Sequence, residues 1–318
     1  MLRNPHLQTI GRLFVRRVPE LAYKRERLEL EDGDFLDLDC VESGDSSKVL
    51  ILSHGLEGSS KNGDVRGMAG TFLAAGWDVV AWNLRGCSGV PNRLPRSYHS
   101  GSSDDLEAVV AHLSKKYSRI DLVGFSLGGN ITLKYLGDCG RKVPQCIGRS
   151  VAFSVPCDLA SGAERLGHWS NSIYLTRFLR SLRGKVRQKI RMFPDRVRDV
   201  GLNRIRTFGE FDEAYTAPLN GFSGALDYWE KAACLPVLQN IAKPALLVNA
   251  RNDPFLTPEC YPVEAARESQ YFHLEIPESG GHLGFVRLNP FLSAWAEQRA
   301  LDFIQADDRA PTPSSIEG

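Results

Sequence analysis

Ser126 stands at the centre of Gly124-Phe125-Ser126-Leu127-Gly128, a G-x-S-x-G pentad. A serine hydroxyl is a weak nucleophile near neutral pH. It needs a base, and the base needs a group to orient it. His282, in the run ESGGHLGF, and Asp253, in the run ARNDPF, are the candidates for base and orienting acid. Together they describe acyl transfer through serine: the hydroxyl attacks an acyl carbon, the imidazole takes its proton, and the carboxylate fixes the imidazole tautomer. The charge that develops on the acyl oxygen needs donors. The Leu127 N–H follows the nucleophile, and the Leu56 N–H lies in the run SHGLEG. Such donors are typically worth about 3–4 kcal/mol each in the transition state. The pentad alone is a common chance match, so its setting decides.

The setting is a strand, a turn and a helix. Residues 120–123 (IDLV) read as a buried strand and 130–136 (NITLKYL) as a helix. A serine in a tight turn between them is lifted clear of the sheet. Gly124 and Gly128 remove Cβ atoms where strand and helix cross. Asp253 follows the predicted strand 245–249 and His282 the predicted strand 271–276. Both therefore lie just past the C-terminal ends of strands, where open α/β sheets place their sites. Further predicted elements are a hairpin over 24–41, strands at 49–52, 77–82, 119–123 and 150–155, and a helix over 65–75. Leu106, Val109, Val110, Leu113 and Tyr117 mark one face of another helix, with Asp104 and Glu107 as a capping pair at its start. A last helix starts at Asn289-Pro290 and buries Leu292, Trp295, Ala296, Ala300, Phe303 and Ile304. This alternation predicts an α/β fold with a mainly parallel central sheet and helices on both faces.

One stretch breaks the alternation. The chain between the strands near 155 and 245 is far longer than a crossover needs, and reads as an inserted helical lid. The expected organisation is core at 1–156, lid at 157–243, core again at 244–305 and an unstructured tail at 306–318. Within the lid, Leu175, Leu179, Leu182, Val186, Ile190 and Phe193 keep helical spacing, with basic residues between them. Residues 177–206 carry eleven basic side chains against Asp195 and Asp199, a net of +9 in a chain of net charge +1. Two readings stand for that segment: a solvated lid face, or a basic amphipathic helix that makes weak peripheral contact with anionic membrane or steers anionic substrates towards the pocket.

The 318 residues are 42% hydrophobic and 24% charged, ordinary globular values that exclude a disordered chain or a coiled coil. A net charge of +1 gives no reason to expect nucleic-acid binding. The seven cysteines (40, 87, 139, 146, 157, 234 and 260) show no CxxC or zinc-site spacing and read as free thiols. No metal or cofactor is called for. Unpaired thiols suit a reducing cytoplasm, and no apolar run approaches the roughly 20 residues of a membrane span. The expected location is cytoplasmic. Three other polar residues read as structural: His54 as a stiffener of the turn around Leu56, His99 despite its H-x-x-x-x-D spacing to Asp104, and Arg85 as a turn-stabilising arginine.

Seven separated motifs, HGLEGSS, NLRGCSG, YHSG, GFSLGGN, DEAYTAPLNGF, NDPF and GGHLGF, occur in that order after an N-terminal NPHLQT. From NPHLQT to about residue 305 the chain resembles the YheT-like branch of the α/β-hydrolase superfamily, related to the eukaryotic abhydrolase-domain lipases and esterases. The resemblance implies an α/β-hydrolase fold and hydrolysis of small-molecule or lipid carboxylic esters without a cofactor. It places the family's serine, aspartate and histidine on Ser126, Asp253 and His282. Asn252 departs from the pattern, standing where relatives often carry another acid. Larger eukaryotic members also have an N-terminal membrane anchor with no counterpart in this sequence. Two alternatives keep the same framework: an acyltransferase using the same triad, and a non-catalytic binding protein on the hydrolase fold.

Overall fold

The computed structural model describes residues 4–15, 18–44, 46–285 and 295–306. Among them eight strands form one sheet: β1 (Lys24–Glu29), β2 (Phe35–Val41), β3 (Lys48–Ser53), β4 (Asp78–Asn83), β5 (Arg119–Phe125), β6 (Ile147–Phe153), β7 (Ala245–Val248) and β8 (Phe272–Glu275). Their spatial order is β1-β2-β4-β3-β5-β6-β7-β8. β2 runs antiparallel to both its neighbours, and every pairing from β4 to β8 is parallel.

The described helices are α1 (Pro5–Val15), α2 (Gly63–Ala74), α3 (Ser103–Leu113), α4 (Leu127–Cys139), α5 (Leu159–Gly167), α6 (Ser172–Met192), the short α7 (Phe208–Phe211) and α8 (Ala217–Leu219), α9 (Ala225–Ala232), α10 (Val263–Glu268) and α11 (Trp295–Gln305). Successive residues of a strand point to opposite faces, so each central strand feeds two cores. On β3, Val49 and Ile51 join the core with α3 and α4, where Leu106, Val109, Ile131 and Leu136 pack. Leu50 and Leu52 join the opposite core with Met68 and Phe72 of α2 and Ala300 and Phe303 of α11. All four β3 side chains are fully buried, worth about 1.5–3 kcal/mol each.

The hairpin forms as expected, with Lys24 opposite Cys40 and Glu29 opposite Phe35. Arg85 lies within this frame, buried among Asp32, Asp34 and Asp105 at 2.7–3.1 Å. It ties the hairpin turn to α3, a structural role larger than a turn alone. The expected Asp104–Glu107 cap is not made. The cap position is Ser102, without a side-chain cap bond, and the Asp104 carboxylate binds Arg96 instead. A nearby guanidinium outcompetes the backbone donors for that carboxylate. The expected start of the last helix at Asn289-Pro290, its Leu292, and the tail beyond Ala306 lie outside the described residues.

Between β6 and β7 the chain is helical, and its elements gather two small apolar clusters of their own. Leu179 and Val186 of α6 pack with Leu202, Ile205, Phe211 and Tyr215. Leu159 of α5 packs with Ala217, Tyr228 and Ala232. The DEAYTAPLNGF motif is the wrapping of this insert. Asp212 opens a π-turn (Asp212–Thr216) and accepts from Thr216 Oγ1 (2.6 Å) and Trp229 Nε1 (2.9 Å). Asn220 donates to Thr216 O (2.8 Å), and the Tyr215 hydroxyl accepts from Val200 N–H (3.1 Å). The basic run of α6 is not wholly solvated. Lys185 meets Glu57 (2.8 Å) and Cys87 Sγ (2.9 Å), and buried Lys189 donates to Asn92 Oδ1 (2.6 Å). These two cations dock the insert on the sheet's loops.

Candidate active site

β5 ends at Phe125 and α4 begins at Leu127, so Ser126 alone makes the turn. Its φ of 53° and ψ of −119° lie in a region that L-residues rarely adopt. The crossing is close enough to demand glycine. A Cβ on Gly124 would fall 2.5 Å from Gly128 O, and one on Gly128 would fall 2.3 Å from Ser53 O.

The three chemistry-bearing side chains meet. His282 Nε2 lies 3.1 Å from Ser126 Oγ, and His282 Nδ1 lies 2.9 Å from Asp253 Oδ2 and 3.2 Å from Oδ1. A carboxylate only accepts, so Nδ1 carries the proton and Nε2 presents a lone pair to the serine hydroxyl. Asp253 and His282 are both buried, and the Phe255 ring covers the imidazole with centroids 4.3 Å apart. Phe255 N–H donates to Asp253 Oδ1 at 2.9 Å, which fixes the second carboxylate oxygen.

The turn after β3 lies directly against the serine: a Cβ on Gly55 would be 3.3 Å from Ser126 Cβ. Glu57 in this turn has φ 54°. Among the described residues no protein acceptor is bonded to the Leu56 or Leu127 N–H, and both residues line the same cavity as Ser126. His54 braces the turn, with Nδ1 2.8 Å from Gly55 O and Nε2 accepting from Leu84 N–H at 3.1 Å. Burial pushes its pKa down to about 4, so it is neutral and structural. His99 is likewise held near 4 by burial, and makes edge contacts to Phe222 and Tyr228 rather than bonding Asp104.

Sequence reasoning did not find what holds the histidine loop. Thr9 Oγ1, on α1, accepts the His282 N–H at 2.9 Å and donates to Pro5 O at 2.8 Å. Asn252 Oδ1 accepts from both Gly280 and Gly281 N–H at 2.9 Å, while its Nδ2 donates to Gln8 Oε1 at 2.9 Å. The departure at Asn252 is therefore a clasp: an amide both accepts and donates there, and an ionised acid only accepts. Gly281, at φ 53°, has no room for a Cβ against Pro5 O (2.7 Å). The signal was the NPHLQT run itself, whose spacing gave no hint of a contact 273 positions away. Asn130 was missed too. Fully buried, it donates to Ser100 O and Ala232 O (2.8 Å each) and accepts from Cys234 N–H (2.9 Å), linking α4 to the insert.

The cavity beside Ser126 has a volume of ≈ 140 Å³ and runs under the insert, with Leu159, Leu182, Val186, Phe208 and Trp229 among its walls. Asp212 also borders it, and burial pushes its carboxyl up to about 6. Among the described residues no group of three or more His, Cys, Asp or Glu side chains is placed to hold a metal ion.

Comparison with known proteins gives the family and the fold. The family model described as alpha/beta hydrolase fold matches residues 48–287. YheT of Escherichia coli (strain K12), provisionally named an esterase, is 33% identical over 95% of this chain and 90% of its own length. Phospholipase ABHD3 of Mus musculus is 28% identical over 94% of this chain and 75% of its own. A solved Pyrococcus furiosus esterase, Pf2001, superposes with a TM-score of 0.62 at 19% identity, covering 91% of this chain and 94% of that one, a likeness of fold. The chain belongs to the α/β-hydrolase fold family, in its YheT-like branch.

Proposed function

We propose that this protein is a serine esterase that cleaves carboxylic esters through Ser126, His282 and Asp253. The observation that carries the reading is the unbroken line Oγ–Nε2–Nδ1–Oδ2, with links of 3.1 and 2.9 Å, at the end of an apolar cavity. Ser126 Oγ attacks the ester carbonyl carbon while His282 Nε2 takes its proton. The oxyanion is held by the Leu56 and Leu127 N–H groups. Collapse expels the alcohol, which regains a proton from His282. Water, deprotonated by the same imidazole, then releases the carboxylic acid from Ser126. Asp253 keeps the imidazole in the tautomer that this needs.

Residues 157–243 serve as the lid that walls the acyl site. The apolar walls of the cavity beside Ser126 suit the acyl chain of an ester. The substrates are then short- to medium-chain or lipid-like esters. Seven unpaired cysteines support a cytoplasmic, reducing location. Among the described residues no helix is long and apolar enough to cross a membrane.

Hydrolysis of nitrophenyl esters graded in acyl length tests the assignment. Turnover should favour short to medium acyl chains, and Ser126→Ala should lower it about 10⁴–10⁶-fold with folding unchanged. Near-normal turnover in Ser126→Ala would overturn the assignment. An added alcohol that captured most of the acyl group in place of water would make the enzyme an acyltransferase.

A further inference from the structure

Among the described residues, one face of α6 is exposed along its length. Ile173, Arg177, Arg180, Gly184, Arg187 and Arg191 recur every three or four residues and are all exposed, so they share one line along the helix. Lys185 and Lys189, which dock on the core, are off this line. Among the described residues none of Arg177, Arg180 and Arg191 has a carboxylate partner; Arg187 bonds an amide oxygen, Asn203 Oδ1, at 2.7 Å and feels the Asp199 carboxylate.

The N-terminal end of the line is apolar. Ile173 is 73% exposed, and Trp169, in the turn ahead of α6, is 80% exposed. Large exposed apolar side chains scattered singly are ordinary. His6 of α1 stacks on Tyr174 (5.8 Å), which brings α1, with its Leu7 52% exposed, to the N-terminal end of α6. Tyr174 in turn meets the edge of Phe255, the ring that covers His282. The apolar end of the face thus lies at the histidine side of the site.

We propose that this face docks on an anionic lipid surface. The arginines lie over the headgroups, and Trp169, Ile173 and Leu7 enter the interface. Long basic stems with charged heads, and an indole at the boundary, are the side chains such an interface accommodates. A nucleic-acid duplex would engage the arginines but would leave the apolar end in water. The placement does not rest on the esterase reading.

Vesicle flotation tests it, with the full chain and vesicles of phosphatidylcholine alone or mixed with about 30% phosphatidylglycerol, at about 50 and about 500 mM salt. The parent should float with anionic vesicles at low salt, release at high salt, and leave neutral vesicles nearly free. Each basic side chain at an anionic surface is worth a factor of about five, so Arg177→Glu/Arg180→Glu/Arg191→Glu should lower partitioning at least about 100-fold. Trp169→Ala/Ile173→Ala should lower it about tenfold and leave the salt dependence unchanged. Turnover of a soluble short-chain ester, or the thermal midpoint, should match the parent in both variants and so report folding. Equal binding to both vesicle types, or none to either, would overturn the proposal. So would a harmless Trp169→Ala/Ile173→Ala, or a DNA duplex that competes as well as anionic vesicles, since either makes the face a general polyanion site.

Discussion

The two sides of the cavity are built by different means. On the sheet side, Ser126, Asp253 and His282 sit on turns at the ends of β5, β7 and β8, each pinned within a residue or two by a backbone bond. Asp253 N–H reaches Ala250 O at 3.0 Å, and Ser126 N–H reaches Phe153 O at 2.8 Å. On the insert side, two small apolar clusters hold the helices together, and polar links from Ser181 and Lys185 to Glu57 and from Lys189 to Asn92 hang α6 on the core. The first construction fixes atoms to the tolerance that acyl transfer demands. The second fixes a wall, which needs only the right shape. Substitutions on the sheet side should therefore change rate, and those on the insert side stability and substrate range.

After the loss of Ser126 itself, the largest expected effect is at Asp253. Asp253→Asn keeps shape and bulk but favours the wrong imidazole tautomer, and should cost up to about 10⁴ in kcat. If it proves harmless, another carboxylate must orient His282, and the sheet side is less exacting than described. Next is the clasp. Thr9→Val removes the acceptor for the His282 N–H, and should lower kcat about 10- to 100-fold with KM little changed, while Thr9→Ser restores it. A loss in Thr9→Val that Thr9→Ser fails to restore, or one confined to KM, would assign α1 a packing role only.

The smallest effect is on the insert side and depends on pH. Burial holds the Asp212 carboxyl near 6, against about 3.9 in an unfolded chain. The folded state binds that proton more tightly, so the contribution is complete below about pH 4 and is lost as pH rises through about 6. Asp212→Asn cannot ionise, and its amide can still meet Trp229 Nε1 with oxygen and Thr216 Oγ1 with nitrogen. It should therefore be more stable than the parent by about 1–2 kcal/mol at pH 7.5 and equal to it below pH 4. Thermal unfolding across that range checks the sign, and a loss of stability at pH 7.5 would show that the carboxylate is better compensated than its surroundings suggest.

The same contrast explains what the sequence could reveal. Ser126 was legible because its turn needs glycine at 124 and 128, a requirement written in residue types. Asp253 and His282 were legible because they follow apolar strand runs. The β3 run Val49–Leu52 announced burial on both faces, and the structure gives each face its own core. What stayed hidden depended on contacts far apart in sequence. Helical spacing marked α6 as amphipathic but could not tell that Lys185 and Lys189 would turn to the core, because that depends on where Glu57, Cys87 and Asn92 lie. Asp104 had a cap's position, and lost that role to an arginine eight residues before it. The NPHLQT run and the departure at Asn252 were visible, but not the clasp they make, which is defined only once the fold has brought residues 9, 252 and 282 together.

Whether Ser126 is the nucleophile can be read from covalent trapping. A fluorophosphonate reacts only with a serine activated by its neighbours, and peptide mass spectrometry locates the adduct. A single adduct should form on the peptide containing Ser126, far more slowly in Asp253→Asn and not at all in Ser126→Ala. Labelling that persists in Ser126→Ala, or that falls on another serine, would contradict the assignment.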